Sequence, residues 1–292
     1  MEKYSESELI LNSDGSIYHL KLRPEQLAPT VIVTGDPQRV ADISRCFDSV
    51  EWMIQNREII SHTGFLNTRQ VTVLSTGMGA DNIDIVMNEL DALVNIDLKT
   101  RRRKTEHTSL NIIRIGTSGA VQSDIPLNAY ILAEYGLGLD GILYFYKTGR
   151  QALVTDLTRS FIKHTAWPRT LPRPYASRAS QKLINQIGEG FLRGITLTAP
   201  GFYGPQGRTL RMDLAHTGLN EKIESFRYHD LRITNFEMET SALYGLCNLL
   251  GHHALTICIA VANRVTGKYD PDNKTKLDKL IEILMIRLRN KL

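Results

Sequence analysis

Cysteine is scarce in this sequence, long apolar runs are absent and net charge is low; each shortage removes a class of protein. Cys46, Cys247 and Cys258 are an odd number with no CxxC pair, which argues against a disulfide framework and against a zinc knuckle. The longest apolar stretch, Ala254 to Ala262, falls well short of the roughly 20 residues of a membrane span. Lysine plus arginine exceeds aspartate plus glutamate by 35 to 31, too little by itself to argue for nucleic acid or lipid. The opening MEKYSESELI is polar where an export signal needs an apolar core. A soluble protein of the reducing cytoplasm is expected, without a membrane partner. Two nucleotide motifs are also missing. No GxxxxGK precedes a Ser or Thr, and Gly77-Met78-Gly79 meets Asn82 where a dinucleotide fingerprint needs its third glycine.

With 42% hydrophobic and 23% charged residues, the chain has the composition of an ordinary folded protein. Three segments share a β-branched run and a glycine-containing turn: 30–39, 70–82 and 111–120. After the first, Asp36 and Pro37 suit the N-cap and first position of a helix. After the second, Ile83, Val86, Met87, Leu90, Leu93 and Val94 mark one helical face. Near the C-terminus, a helical stripe over Ala242 to Leu250 stops at Gly251 and a buried strand follows over Leu255 to Ala262. A last helix is expected over Leu277 to Leu288. Alternating strands and helices predict one α/β domain over residues 1–292, a layered sandwich with a central mixed sheet flanked by helices. Lys99 to Ser109, with its basic run Arg101 to Lys104, and the Pro-rich stretch Trp167 to Tyr175 read as surface loops. The basic run reads as a solvated charge patch.

In such sheets ligands sit beyond the carboxyl ends of the strands, where loop N–H groups and helix N-termini favour anions. Arg114 interrupts the apolar strand Ile112 to Ile115. A guanidinium buried there needs an anionic partner, either a carboxylate of the protein or a ligand phosphate. Arg39, early in its helix, opposes the helix dipole and raises the same question. Glu237 and Glu239 lie just ahead of a helix, where negative charge is favourable. The Gly/Pro segment 201–208 offers the aromatic faces of Phe202 and Tyr203 and the planar groups of Gln206 and Arg208, suited to a flat heterocycle or simply to a mobile loop.

Together these pieces resemble the nucleoside phosphorylase superfamily, and its uridine-cleaving branch most closely. The resemblance rests on six motifs in family order: Gly35-Asp36-Pro37-Gln38-Arg39, Ser75 to Gly79, Arg114 to Ala120, Phe202 to Arg208, Asn235 to Glu239, and Val261-Ala262-Asn263-Arg264. It implies phosphorolysis of uridine to uracil and ribose 1-phosphate, in pyrimidine salvage. It also implies a phosphate site at Gly35, Arg39, Arg114 and Thr117, with Arg57 supplied by a neighbouring subunit. His19 is implied to reach the ribose 5′-hydroxyl across the same interface. Glu237, Met238 and Glu239 would form the ribose floor; Phe202, Gln206 and Arg208 the base pocket. Arg114, Glu239 and Arg208 are then the groups expected to carry catalysis. A homo-oligomer follows, at least a dimer, with a hexamer the family default. Inorganic phosphate is a co-substrate, and neither cofactor nor metal is expected.

The chain departs from the family in two places. Ala80-Asp81-Asn82 replaces the usual Gly-Pro-Ser, which weakens the support for a monovalent cation near Glu58. The stretches Lys99 to Ser109 and Lys163 to Ser180 look longer than usual. Two rivals share the superfamily. Purine enzymes usually carry an Asp after the late strand, where this chain has Asn263-Arg264, and a nucleosidase has little need for three phosphate arginines. A remote rival is a non-catalytic nucleotide- or RNA-binding protein using the basic run.

Overall fold

A computed structural model describes residues 3–148 and 152–291. The first βα unit is β1 (Thr30–Thr34) and α1 (Gln38–Ser44), followed by the meander β2 (Ser49–Asn56), β3 (Ile59–Leu66) and β4 (Arg69–Ser75) and by α2 (Ala80–Asn95). Short strands β5 (Ile96–Asp97) and β6 (Arg102–Arg103) precede the long β7 (Asn111–Ala120) and β8 (Tyr130–Gly138). Next come α3 (Thr155–Thr165), β9 (Tyr175–Arg178), α4 (Gln181–Ile187), β10 (Leu192–Thr198), α5 (Leu219–Ser225) and β11 (Arg227–Tyr228). The chain then runs through β12 (Leu231–Glu237), α6 (Thr240–Leu250), β13 (His253–Asn263), β14 (Lys268–Tyr269) and α7 (Lys274–Lys291).

The main sheet is mixed, in the order β11-β12-β10-β8-β13-β7-β1-β4-β3-β2. Its centre is parallel, with β1 between β4 and β7 and β13 beside β7. Those strands have largely apolar centres because helices cover them; Val31 to Val33, Ile112, Ile113, Leu255 and Ile257 are fully buried. At one end the sheet closes on itself, since β12 also pairs antiparallel with β7 through Asn235 and Phe236. Strands β7, β13, β8, β10 and β12 thereby form a ring that the sequence pattern did not reveal.

The helices expected from periodicity are present, with one shift: α1 starts at Gln38 with Pro37 at its N-cap, and Asp36 Oδ1 accepts the Gln38 N–H at 2.9 Å. Asp36 therefore caps from one position further out. A second correction concerns Gly116 to Ala120, expected as a turn after Arg114. The strand instead continues to Ala120, because β13 and β12 offer backbone partners on both sides.

The Lys99 to Ser109 stretch is not merely solvated. Its β6 pairs with β5, Tyr4 donates its N–H to Arg101 O at 2.9 Å, and Lys104 Nζ donates to Val94 O at 2.9 Å. Arg101 also bonds Leu9 O and Arg103 bonds Tyr4 Oη. Two of the four basic side chains, Arg101 and Arg103, thus fasten the N-terminal segment and a third, Lys104, is tied to α2, leaving a poor basis for an RNA patch. The Pro-rich 167–175 stretch is a loop until β9 begins.

Candidate active site

The carboxyl ends of β1 and β4 meet. Thr76 donates its N–H to Thr34 O at 2.8 Å, and a Cβ at Gly35 would lie 3.2 Å from Gly77 O. Gly77 and Gly79 have φ of +72° and +102°, left-handed values open to glycine at little cost. Beside them Arg114 rises from β7. Gly116, two residues on and hence on the same face, leaves room for it: a Cβ there would stand 2.5 Å from Arg114 Nη1.

Around this junction is a cleft of about 920 Å³. Of the twelve side chains and backbone positions expected in the site, ten line it: Gly35, Arg39, Arg114 and Thr117 at the cationic corner; Glu237, Met238 and Glu239; and Phe202, Gln206 and Arg208. Glu58 and Asn82 also border it.

Arg39 Nη1 donates to Thr34 Oγ1 at 2.8 Å, while its nearest carboxylate, Asp36, stands 3.9 Å away and half exposed. Burial first, and the Arg114 charge in addition, lower the Arg39 pKa against the pull of Asp36. Arg114 is better compensated. Its Nη1 is 3.1 Å from Glu237 Oε2, and its Nη2 is paired with Glu239. Burial opposes the Arg114 charge, but the two carboxylates outweigh it and raise its pKa above the usual arginine value. Its Nε is buried without a hydrogen-bond partner among the described residues. Two neighbouring guanidiniums, one poorly paired and one with an idle donor, suit a dianion.

The carboxylates are held by the start of α6. Glu237 accepts the N–H groups of Glu239 and Thr240, and the Thr198 hydroxyl at 2.7 Å. Glu239 accepts the Gly79 N–H at 2.8 Å, tying α6 to the turn before α2. Burial raises the Glu239 pKa, with Arg114 pulling the other way.

At the other end, Arg208 lies 3.7 Å from the centre of the Phe202 ring and donates to Phe202 O at 2.6 Å and to Gln206 Oε1. A base that stacks on Phe202 must displace this guanidinium. Burial, then the nearby Arg264 charge, lower the Arg208 pKa to about 10. Arg264 packs on Gly119, where a Cβ would be 3.3 Å from its Cγ, and its Nη1 is buried without a partner among the described residues. The sequence reading left Arg264 without a role; a cation following a buried Asn at a strand end was the available signal. Asn263 itself is structural, donating to Gln122 O and Ile125 O at 2.9 and 2.8 Å.

His19 and Arg57 do not line the cleft. They form one patch elsewhere: Arg57 Nη2 donates to Tyr18 Oη at 3.3 Å, Asn56 Nδ2 donates to His19 O at 2.9 Å, and Tyr18 packs edge-on against His19. His19 borders a separate groove of about 820 Å³ along α2. Asp91, His107 and His252 also gather there, with potential ligand atoms within 4.8 Å of one another. The Leu110 N–H donates to His252 Nδ1 at 3.2 Å, so that ring carries its hydrogen on Nε2, facing Asp91 Oδ1 at 3.2 Å. No lone pair of His252 is left for a metal.

Known proteins resemble this chain in sequence and fold. The profile of the family described as "Phosphorylase superfamily" matches residues 29–284. A uridine phosphorylase of Thermococcus kodakarensis is 30% identical over 275 residues, covering 92% of this chain and 85% of that protein. A DeoD-type purine nucleoside phosphorylase of Listeria welshimeri is 26% identical, covering 86% and 88%. Among solved structures, a Trypanosoma brucei nucleoside phosphorylase described as showing uridine phosphorylase activity superposes with a TM-score of 0.84. It is 30% identical, and the match covers 96% of this chain and 99% of that one.

Proposed function

The chain belongs to the phosphorylase superfamily, and from that premise we propose that it is a uridine phosphorylase, transferring ribose from uracil to phosphate. The observation that carries the reading is that one cleft holds two pairs of arginines, one of them closed against buried carboxylates. Arg39 and Arg114 stand at one end, Glu237 and Glu239 bind Arg114, and Arg208 and Arg264 gather at Gly119. The Arg114 guanidinium lies over Gly116, three residues before Gly119 on β7, roughly 10 Å of extended chain, room for a pentose between phosphate and base.

Phosphorolysis makes the anomeric carbon cationic while the base leaves as an anion, so opposite charges must be stabilised a few ångströms apart. Arg39, Arg114 and the Arg57 of a neighbouring subunit hold phosphate under the sugar, with Gly35 N–H and Thr117 completing its site. Phosphate is already a nucleophile, and positioning is what it needs. Glu239 grips the ribose hydroxyls on the floor made with Glu237 and Met238, adding negative charge beside the developing cation. Phe202 stacks on uracil, Gln206 pairs with it, and Arg208 receives charge at O4. Neither a cofactor nor a cation at Glu58 enters this scheme.

The similarity to a purine nucleoside phosphorylase marks the nearest rival. Those enzymes protonate the departing ring with an Asp, and Asn263 is committed to backbone carbonyls here. We further propose a homo-oligomer, at least a dimer and by family default a hexamer, because His19 and Arg57 share a patch outside their own cleft. No helix of the described residues is long and apolar enough to cross a membrane, and the proposed place of the enzyme is cytoplasmic pyrimidine salvage. The test is an assay of uridine cleavage with and without phosphate: ribose 1-phosphate must appear, and uracil release must stop without phosphate.

A further inference from the structure

One carboxylate on α2 gathers three donors from the N-terminal segment. Glu89 Oε1 and Oε2 each lie 3.0 Å from the His19 N–H, Oε2 accepts the Leu20 N–H at 2.8 Å, and Oε1 stands 2.6 Å from His19 Nδ1. The backbone bonds alone are enough to hold the segment in place. The bond to the ring does something more. A carboxylate that accepts two backbone N–H groups also accepts from Nδ1, so the imidazole hydrogen is on Nδ1. In the neutral ring Nε2 then carries the lone pair. It has no hydrogen-bond partner among the described residues, and the His19 side chain retains 27% exposure against 14% for Glu89.

The mounting is stiff on every side. Asn56 Nδ2 grips His19 O at 2.9 Å, and Asn12 Nδ2 donates to Ile17 O at 3.0 Å. The Tyr18 ring stands edge-on to the imidazole at 4.7 Å, while the Arg57 guanidinium lies 5.5 Å from that same ring. His19 and Arg57 are therefore delivered as one unit, and Glu89 is the member that determines which nitrogen of His19 faces outward.

We propose that Glu89 is a positioning residue for phosphorolysis: it fixes the Nδ1–H form of His19, so that a bare Nε2 meets the nucleoside 5′-hydroxyl in a neighbouring subunit's cleft. This rests on the uridine phosphorylase reading and on the shared site. Glu89 touches no substrate. It acts through His19 alone, in the way an orienting partner sets the tautomer of a catalytic or metal-bound histidine.

The experiment compares uridine with 5′-deoxyuridine, which lacks the hydroxyl in question. In Glu89→Gln the amide keeps an acceptor for the backbone N–H groups, but its NH2 group can donate to His19 Nδ1 and favour the opposite tautomer. The expected result is a fall in kcat/KM for uridine of roughly 10- to 100-fold, the range for losing a histidine's orienting partner, with 5′-deoxyuridine changed less than about threefold. His19→Ala should show the same discrimination, and adding Glu89→Gln to it should cost nothing further. Equal losses on both nucleosides, or an unchanged uridine rate, would overturn the proposal. If Glu89→Gln fails to fold, nitrogen-15 NMR of the wild-type histidines decides: His19 protonated on Nδ1 alone supports the proposal, and the Nε2–H or doubly protonated form overturns it. A wild-type enzyme inactive on both nucleosides overturns the uridine reading instead.

Discussion

Arg114 and Glu239 are 125 residues apart in sequence and form a buried ion pair in the cleft. Through it, the corner assigned to phosphate and the carboxylate assigned to ribose are mechanically one piece. With Glu237 also 3.1 Å from the guanidinium, a single side chain compensates two buried acids.

Arg114→Ala should therefore do two things. Phosphorolysis should drop by at least about 10³-fold, with loss of saturation by phosphate, as expected when a charge-assisted clamp on a transferring group is removed. Stability should fall by roughly 3 to 5 kcal/mol, because two buried carboxylates lose their counter-charge. Steady-state kinetics at varied phosphate and chemical denaturation check both. A folded variant with unchanged phosphate dependence would make Arg114 a purely structural partner.

Arg208→Ala should damage uridine turnover more than cytidine turnover. Uracil presents an acceptor at O4, whereas cytosine presents an amino donor there, and arginine can only donate. Losing one preorganised donor costs roughly 2.7 to 4 kcal/mol, or about 10² to 10³ in rate. The uridine-to-cytidine ratio of kcat/KM should shrink accordingly; an unchanged ratio would remove Arg208 from base recognition.

Mixing two impaired variants tests the shared site. His19→Ala subunits retain a complete cleft, and Arg114→Ala subunits retain a complete His19 patch, so reassociated mixtures should recover part of the activity in symmetric assemblies. Size-exclusion chromatography with light scattering should show at least a dimer. Full activity from a monomer would contradict the prediction.

Asp140 supplies a pH test. Burial raises its pKa, even though Tyr175, Ser241 and the Ile142 N–H donate to it. The native state consequently holds the proton more tightly than the unfolded chain. This contribution to stability is present below the ordinary Asp range and is lost as pH rises through the folded value. Wild type should lose thermal stability relative to Asp140→Asn as pH rises from about 4 towards 7. Parallel melting curves over that interval would show that Asp140 titrates normally.

Much of this was readable before folding. Helices α2, α6 and α7 announce themselves by stripes such as Ile83, Val86, Met87 and Leu90, and Arg114 is conspicuous inside an apolar strand. The Gly116 to Ala120 segment was misjudged because its glycines serve the Arg114 side chain and close packing by Arg264, not a turn. Local sequence carries no record of the β7–β12 pairing or of the Arg114–Glu239 bond, since both depend on residues more than a hundred positions apart. The basic run is exposed over Arg102 to Lys104, as its sequence suggests, but its anchoring to Tyr4 and Leu9 is not legible because those partners lie far upstream.

The most direct test is base release from uridine, cytidine and inosine, each with and without phosphate. The account predicts uracil and ribose 1-phosphate from uridine only when phosphate is present. It also predicts a preference over cytidine on the order of 10⁴-fold, as for sites built around a hydrogen bond, and little action on inosine. Cleavage without phosphate, a uridine preference below about tenfold, or faster release of hypoxanthine than of uracil would contradict it.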